Sequence, residues 1–372
     1  MRTPPDHLMP CRLHSRSVTP FSQKTYTCHK PNQTKPNYQN TKQRSIERDK
    51  EMIAAGITFS ARVLRLLRRV SIAYFHDLLV SLCFIYNHLI PRTIHLFGST
   101  ADLTSVHIWT PLLHRRSKPS VVLIHGFGGD AKWQWRTQIG TLSRSFNLYI
   151  PDLIFFGNSR SDSPNRSVQF QAECIAQAMK QLGVKRYNVV GISYGGFVAY
   201  RMGSDVATEE VEKIVLLTSG VGVSEERIRE LVQREGRDVR DILCPKNPED
   251  LRLLVRRSMY RPPIWMPDFY LREFIKVKYM DHRKERIELL EELLKNGAGV
   301  SPLPVLSQET LLLWGDQDQV FPVDFAHELH RHLGKQSSLE IIKDAGHALQ
   351  LEQPRQVNRH IQHFLLPPAR SK

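Results

Sequence analysis

From residue 93 onward, short apolar runs alternate with stretches of helical period. The runs Thr93–Phe97, Val106–Thr110, Val121–His125, Asn147–Pro151, Tyr187–Gly191, Lys213–Thr218, Thr310–Trp314 and Leu339–Lys343 are rich in β-branched and aliphatic residues and predict strands. Between them, Gln169–Leu182 places Phe170, Cys174, Ile175, Ala178, Met179 and Leu182 on one helical face, and Phe197–Met202 and Phe325–Leu333 follow the same period. Strand alternating with helix requires parallel strands joined by crossover helices, hence an α/β sheet covered on both faces. The first two strands are separated only by Gly98–Ser105, so they are expected to pair antiparallel as a hairpin at one edge.

Two intervals depart from this alternation. Between residues 221 and 303 no buried strand is legible. Helical stretches at Glu225–Arg234, Pro248–Met259, Phe269–Lys278 and Arg283–Asn296 flank an apolar loop, Pro262–Pro267, that contains Trp265. This predicts a helical cap inserted after the sixth strand, over a core made of residues 92–220 and 304–372. Upstream, within 51–91, Arg62, Arg65, Arg68 and Arg69 precede a stretch from Val70 to Pro91 without Lys or Arg. Asp77, His76, Asn87 and His88 interrupt it, and its uninterrupted part, Leu78 to Tyr86, is shorter than the roughly 20 apolar residues a membrane crossing needs. The pattern predicts an amphipathic helix suited to lying on a membrane surface. A single-pass signal anchor and a helix packed on the domain are the alternatives.

Of the 372 residues, 41% are hydrophobic and 24% charged, which excludes wholesale disorder and fibrous classes. The net charge of +15 is unevenly placed: the first 100 residues hold 15 Lys/Arg against 5 Asp/Glu. The basicity therefore lies largely outside the predicted core. With no zinc-finger spacing or aromatic RNA-binding signature, nucleic acid is not expected as a partner. Residues 1–50 are basic, rich in Ser, Thr, Pro and Asn, and cannot bury a core of their own. They read as a disordered tail, as a transit-like segment, or as chain preceding a true start at Met52. A third role, a basic tether to membrane or nucleic acid, would use residues 1–90. Five cysteines without a C-x-x-C suit a reducing, intracellular compartment; the transit-like tail adds an organelle such as a chloroplast, and the helix a membrane surface, as candidate locations.

The chemistry concentrates in a few turns. Val189-Val190-Gly191-Ile192-Ser193-Tyr194-Gly195-Gly196 is a strand running into a G-x-S-x-G turn and then a helix. Such a turn strains the backbone, needs small flanking residues, and presents a serine hydroxyl above the sheet edge. A serine needs a base oriented by a third group. The run 311–318 is a buried strand ending in Asp316 and Asp318, and Asp344-Ala345-Gly346-His347 follows the last strand. The order Ser193, Asp318, His347, each beyond the carboxyl end of its strand, is that of a Ser-Asp-His triad on such a sheet. The turn His125-Gly126-Phe127-Gly128-Gly129 offers an oxyanion hole from the backbone N–H groups of Phe127 and Tyr194. His125 is expected to support that turn, and Asp152 and Ser159 to hold the neighbouring loop. Trp265 is the candidate for the substrate pocket, with core or cap packing as its alternative. No metal-ligand spacing is present, so neither metal nor cofactor is expected.

These motifs resemble the α/β-hydrolase family over about Arg92 to Leu366. The resemblance rests on HGFGG at 125–129, PDLIFFGNS at 151–159, GISYGG at 191–196, LLWGDQDQVFP at 312–322 and DAGH at 344–347. Their combined spelling is most similar to the plant group described as monoacylglycerol-lipase-like or as esterases. The resemblance implies Asp318 as the acid, with Asp316 as fallback, and Phe155 departs from the glycine common in the wider family. Haloalkane dehalogenases and soluble epoxide hydrolases of this fold carry Asp where Ser193 stands. The implied function is a monomeric serine hydrolase cleaving a lipophilic, monoacylglycerol-like carboxylic ester through an acyl-enzyme on Ser193. The alternatives are a small-molecule receptor with little turnover, acyl transfer, and C–C or cyanohydrin cleavage.

Overall fold

The computed structural model describes residues 71–97, 103–224, 226–227, 230, 236–296 and 302–366. All of them fall in the unit Leu67–Lys372. The basic tail at 1–50 and the arginines at 62–69 lie outside the described residues, as does most of the helix expected at 225–234.

The apolar runs become β1 (Leu89–Phe97), β2 (Leu103–Pro111), β3 (Ser120–Ile124), β4 (Asn147–Pro151), β6 (Tyr187–Ile192), β7 (Val211–Leu217), β8 (Glu309–Gly315) and β9 (Ser337–Ile342), with a two-residue β5 (Arg160–Ser161). The sheet order is β1-β2-β4-β3-β6-β7-β8-β9, with β5 beside β2. β1 pairs antiparallel with β2 in a continuous register from Leu89↔Pro111 to Phe97↔Leu103, and β2 pairs antiparallel with β4. All pairs from β4 to β9 are parallel. The chain therefore has an α/β-hydrolase type of sheet, mostly parallel, with the expected hairpin at one edge.

Central strands read as unbroken apolar runs because both of their faces are buried. Val122 and Ile124 of β3, Val189 of β6, Ile214 and Leu216 of β7 and Leu312 of β8 enter one core. Their neighbours Val121, Leu123, Val190, Val215, Leu217, Leu311 and Leu313 enter the other. Helices α4 (Val168–Gln181), α5 (Tyr194–Arg201) and α10 (Val323–Leu333) supply much of the first layer, and α3 (Ile139–Ser145) and α12 (Pro354–Leu365) contribute to the second.

Between β7 and β8 stand α6 (Val239–Leu243), α7 (Pro248–Ser258), α8 (Asp268–Lys278) and α9 (Arg283–Asn296). α6 to α8 share a small apolar cluster built on Ile242, Leu251, Leu254, Leu271, Ile275 and Tyr279. β5, too short to show as an apolar run, makes β7 the seventh strand, so these helices follow strand seven where the sequence suggested six.

The stretch from Val70 to Pro91 is not one helix. Ser71 caps α1 (Ile72–Tyr86) through its side chain, the chain turns at His88 with φ +60, and Leu89 already belongs to β1. Its apolar residues are thus divided between helix and strand. Among the described residues no helix is long and apolar enough to cross a membrane.

Candidate active site

Ser193 follows β6 and caps α5 at φ +53 and ψ −120, a conformation disfavoured for any residue with a Cβ. The turn closes because its flanks are glycine. A methyl on Gly191 would lie 2.2 Å from the Gly195 carbonyl oxygen, and one on Gly195 would lie 2.4 Å from that of Ile124. The Ser193 N–H donates to Leu217 O at 2.9 Å, which holds the turn against β7. Its side chain is partly exposed, and among the described residues Ser193 Oγ has no hydrogen-bond partner.

His347 follows β9, and its Nδ1 lies 3.0 Å from Asp318 Oδ2. Asp318 Oδ1 is occupied by the N–H groups of Val320, at 2.7 Å, and Phe321, at 2.9 Å, which leaves Oδ2 for the imidazole. Both side chains are buried, and the Phe321 ring packs against the His347 ring at 5.5 Å. Asp316 faces elsewhere: it accepts from Ala345 N at 3.4 Å and lies 3.7 Å from Lys343 Nζ. Asp316 thus braces the loop that carries His347 and does not contact the ring.

Consecutive residues at the end of β7 fasten both turns. Thr218 Oγ1 donates to His347 O at 3.0 Å, and Ser219 Oγ donates to Ser193 O at 2.9 Å. This hydroxyl pair was not singled out from the sequence, because Thr-Ser after a strand is too common to signal anything. Cap residues reach the same edge. The Ala348 N–H, next to His347, donates to Ser258 O at the end of α7 at 2.7 Å.

The turn after β3 lies against Ser193, since a methyl on Gly126 would come within 3.0 Å of Ser193 Cβ. Phe127 and Tyr194 pack edge to face with ring centroids 5.5 Å apart, so the two residues expected to supply N–H donors are brought together. Among the described residues neither N–H has a hydrogen-bond partner. Gln134, on α2 (Ala131–Trp135), clasps the turn: it accepts from Gly126 N at 2.8 Å and donates to Gly126 O at 2.9 Å and Gly128 O at 2.6 Å. Sequence reasoning missed Gln134, which carries no signature beyond being polar in an apolar stretch.

His125 is fully buried beneath this turn. Its Nδ1 donates to Gly126 O at 2.7 Å and its Nε2 accepts from Leu153 N at 2.9 Å. Burial pushes its pKa below 6.5, which keeps the ring neutral as that bonding requires. Asp152 lies behind the same turn and takes the Ala131 N–H at 3.0 Å and His107 Nδ1 at 2.8 Å. Burial opposes its ionisation, but the His107 hydrogen bond and charge outweigh that and hold its carboxyl below the usual carboxylate range. Ser159 Oγ donates to Asp152 O at 2.7 Å, which completes the loop. Phe155 adopts φ +74, the region where glycine is the easy choice. Its buried ring is offset against this strain by the Arg166 guanidinium 4.4 Å above it.

Trp265 is not brought to this site. It is 77% exposed and lines a surface cleft with Arg252, Arg256, Ile264 and the prolines at 262, 263 and 267. None of Ser193, Asp318 and His347 lines that cleft. Of the cap, Tyr279 and Leu254 approach Gly128 of the 125–129 turn, with atoms 3.8 and 4.0 Å from a methyl built there. Among the described residues no group of three or more His, Cys, Asp or Glu side chains is placed to hold a metal ion.

Comparison with known proteins agrees with this architecture. The chain is 25% identical to a monoacylglycerol lipase of Bos taurus (ABHD6) over 260 residues, covering 67% of this chain and 75% of that one. It is 26% identical to epoxide hydrolase 3 of Xenopus tropicalis over 271 residues, covering 67% and 72%. Among solved structures, a bacterial membrane phospholipase A superposes with a TM-score of 0.68 at 24% identity, covering 85% of this chain and 98% of that one. A sequence model of the Alpha/beta hydrolase family matches residues 121–360, from β3 to a point beyond His347, and the chain belongs to that family.

Proposed function

We propose that this protein is a serine hydrolase that cleaves a carboxylic ester of lipophilic character through an acyl-enzyme on Ser193. The observation that carries the reading is the His347–Asp318 pair. Asp318 holds Nδ1 at 3.0 Å, which fixes the tautomer with its lone pair on Nε2. Ser193 Oγ attacks the ester carbonyl and passes its proton to His347 Nε2. The tetrahedral oxyanion is received by the N–H groups of Phe127 and Tyr194. The carbon–oxygen bond to the alcohol then breaks as His347 returns the proton to the leaving oxygen. A water, deprotonated by His347, attacks the acyl-enzyme; the acid leaves and Ser193 regains its proton.

Two relatives of nearly equal similarity are named for different reactions, a monoacylglycerol lipase and an epoxide hydrolase. A hydroxyl in the Ser193 position, together with a hydrogen-bonded His347–Asp318 pair beyond the ends of neighbouring strands, favours acyl transfer to water over epoxide opening by a carboxylate. The apolar character of Leu254 and of the cap cluster around it favours a lipophilic acyl group or alcohol. Turnover of p-nitrophenyl esters and monoacylglycerols of increasing chain length by the full chain tests the reading. Ser193→Ala should lower kcat by at least about a thousandfold, with its fold intact by circular dichroism. A Ser193→Ala protein that hydrolyses these esters at the wild-type rate would overturn it.

A further inference from the structure

α1 carries a second apolar face that an ordinary surface helix lacks. An apolar stripe at helical spacing normally faces the core. Here the inward face carries Ala73, Asp77, Val80 and Phe84. The stripe Ile72, Phe75, Leu79, Leu82 and Tyr86, at steps of three and four residues, with Leu78 beside it, faces out with 44 to 84% of each residue exposed. A helix apolar on both faces needs cover on both, and an exposed apolar patch of this kind marks an interaction surface.

The inward face is also fastened to the cap. Glu273 of α8 accepts from Ser71 Oγ at 3.0 Å and from Ala73 N at 3.3 Å, and His76 Nδ1 meets Tyr270 OH at 2.8 Å. Asp77, the helix's one charged residue, is bound by Lys278 of α8, by Lys132 Nζ at 2.7 Å and by Trp133 Nε1 at 3.0 Å. The same Lys278 reaches Asp130 at 2.5 Å, and Asp130 caps α2 beside the 125–129 turn. With Asp77 turned inward and matched, the outer face bears no charge, and α1 cannot roll to hide it without breaking a buried ion network.

We infer that this outer face of α1 docks on the surface of a lipid bilayer carrying anionic headgroups. Three features select that occupant. The helix spans about 22 Å at 1.5 Å per residue, short of the roughly 30 Å hydrocarbon core, so it lies along the interface. Tyr74 and Tyr86, both exposed and near opposite ends, have the amphipathic rings that settle at headgroup level. The sequence entering the helix supplies Arg62, Arg65, Arg68 and Arg69, with no acidic residue from Met52 to His76. A basic run that precedes an apolar helix in sequence is complementary to an anionic bilayer. Exposed Phe269 on α8 and Trp265 on the loop before it add apolar surface to the cap element that α1 is tied to. Docking therefore places the cap, and through Lys278 and Asp130 the turn beside Ser193, at a source of lipophilic ester. This last consequence rests on the proposed hydrolase reading; the docking does not.

Flotation of the full chain with phosphatidylcholine vesicles, with and without about one third phosphatidylserine, tests the inference. The wild type should float with both and more strongly with the anionic ones, as expected of an apolar face joined to a basic run. Leu79→Glu with Leu82→Glu should lower binding at least tenfold, with unchanged melting temperature and unchanged turnover of a water-soluble short-chain ester. Replacing the four arginines by glutamine should bring anionic vesicles down to the level of neutral ones. The inference is overturned if the wild type fails to float or if the double Glu variant floats like wild type. It is equally overturned if that variant converts a dimer to a monomer in vesicle-free buffer, since the occupant is then a second copy. Ser193→Ala should float like wild type, so ester turnover retained in that variant would count against the hydrolase reading alone.

Discussion

Asp318 offers His347 one oxygen and no more. Its Oδ2 meets Nδ1 at 3.0 Å, while Oδ1 is held by the N–H groups of Val320 and Phe321 at 2.7 and 2.9 Å. Two backbone donors make the carboxylate a fixed post against which the ring is oriented. Asp318→Asn keeps the shape but puts an amide opposite Nδ1, favouring the wrong tautomer. We expect kcat to fall by about 10⁴ with little change in stability. Asp316→Asn, two residues away, touches the loop and not the ring, so activity should stay within about threefold. Steady-state kinetics on one ester decides between them, and equal losses would refute the assignment.

Gln134 satisfies three backbone groups of the 125–129 turn at 2.6 to 2.9 Å. Gln134→Ala leaves those groups unpaired and loosens the turn that carries Phe127, whose N–H is the proposed oxyanion donor. A donor lost outright costs about 10² to 10³ in kcat, so a displaced one should cost roughly 10 to 100-fold, with KM nearly unchanged. A rise in KM at constant kcat would assign Gln134 to ground-state binding instead.

Phe155 holds φ +74 with a fully buried ring. Phe155→Gly relieves about 1 kcal/mol of backbone strain but deletes a buried aromatic, which costs about 3–5 kcal/mol. The net effect should be a loss of about 2–4 kcal/mol, measured by urea unfolding. A stabilised variant would mean that the ring contributes less than the strain it imposes.

His125 links acidity to stability. Burial depresses its folded pKa below the ordinary 6.5. Its contribution is therefore fully present above about 6.5 and is lost as pH falls through the folded value, because the unfolded chain binds the proton first. Asp152, also depressed, acts in a separate window below 3.8. Between pH 6.5 and 5 the melting temperature of wild type should fall more steeply than that of His125→Gln. Parallel slopes would show that His125 does not drive the acid sensitivity.

What was legible in the sequence was whatever local pattern dictates. Asn147–Pro151 and Arg283–Asn296 have the bounds expected of them, because a local apolar run and a local helical period mark each one. Ser193, Phe127, Tyr194 and His347 stand out in sequence as candidates because their glycine-rich turns need unusual backbone and so leave a signature. Gln134, Thr218 and Ser219 left none, since each acts through ordinary hydrogen bonds made only after distant strands meet. Asp77 was counted against a membrane helix as an intrabilayer charge. Its partners Lys132 and Lys278 stand 55 and 201 residues away, so its burial as an ion pair was invisible to any local reading. Trp265 stands on an apolar loop of the cap, which makes it a pocket candidate in sequence, but its side chain is exposed.

The central claim is that Ser193 is an activated nucleophile. Fluorophosphonate labelling of the purified full chain, wild type beside Ser193→Ala and His347→Ala, tests it most directly. The account predicts one adduct per chain on Ser193 in wild type, none in Ser193→Ala, and labelling slowed at least about a hundredfold in His347→Ala. A folded wild type that resists the reagent, or one labelled equally well without Ser193, would contradict it.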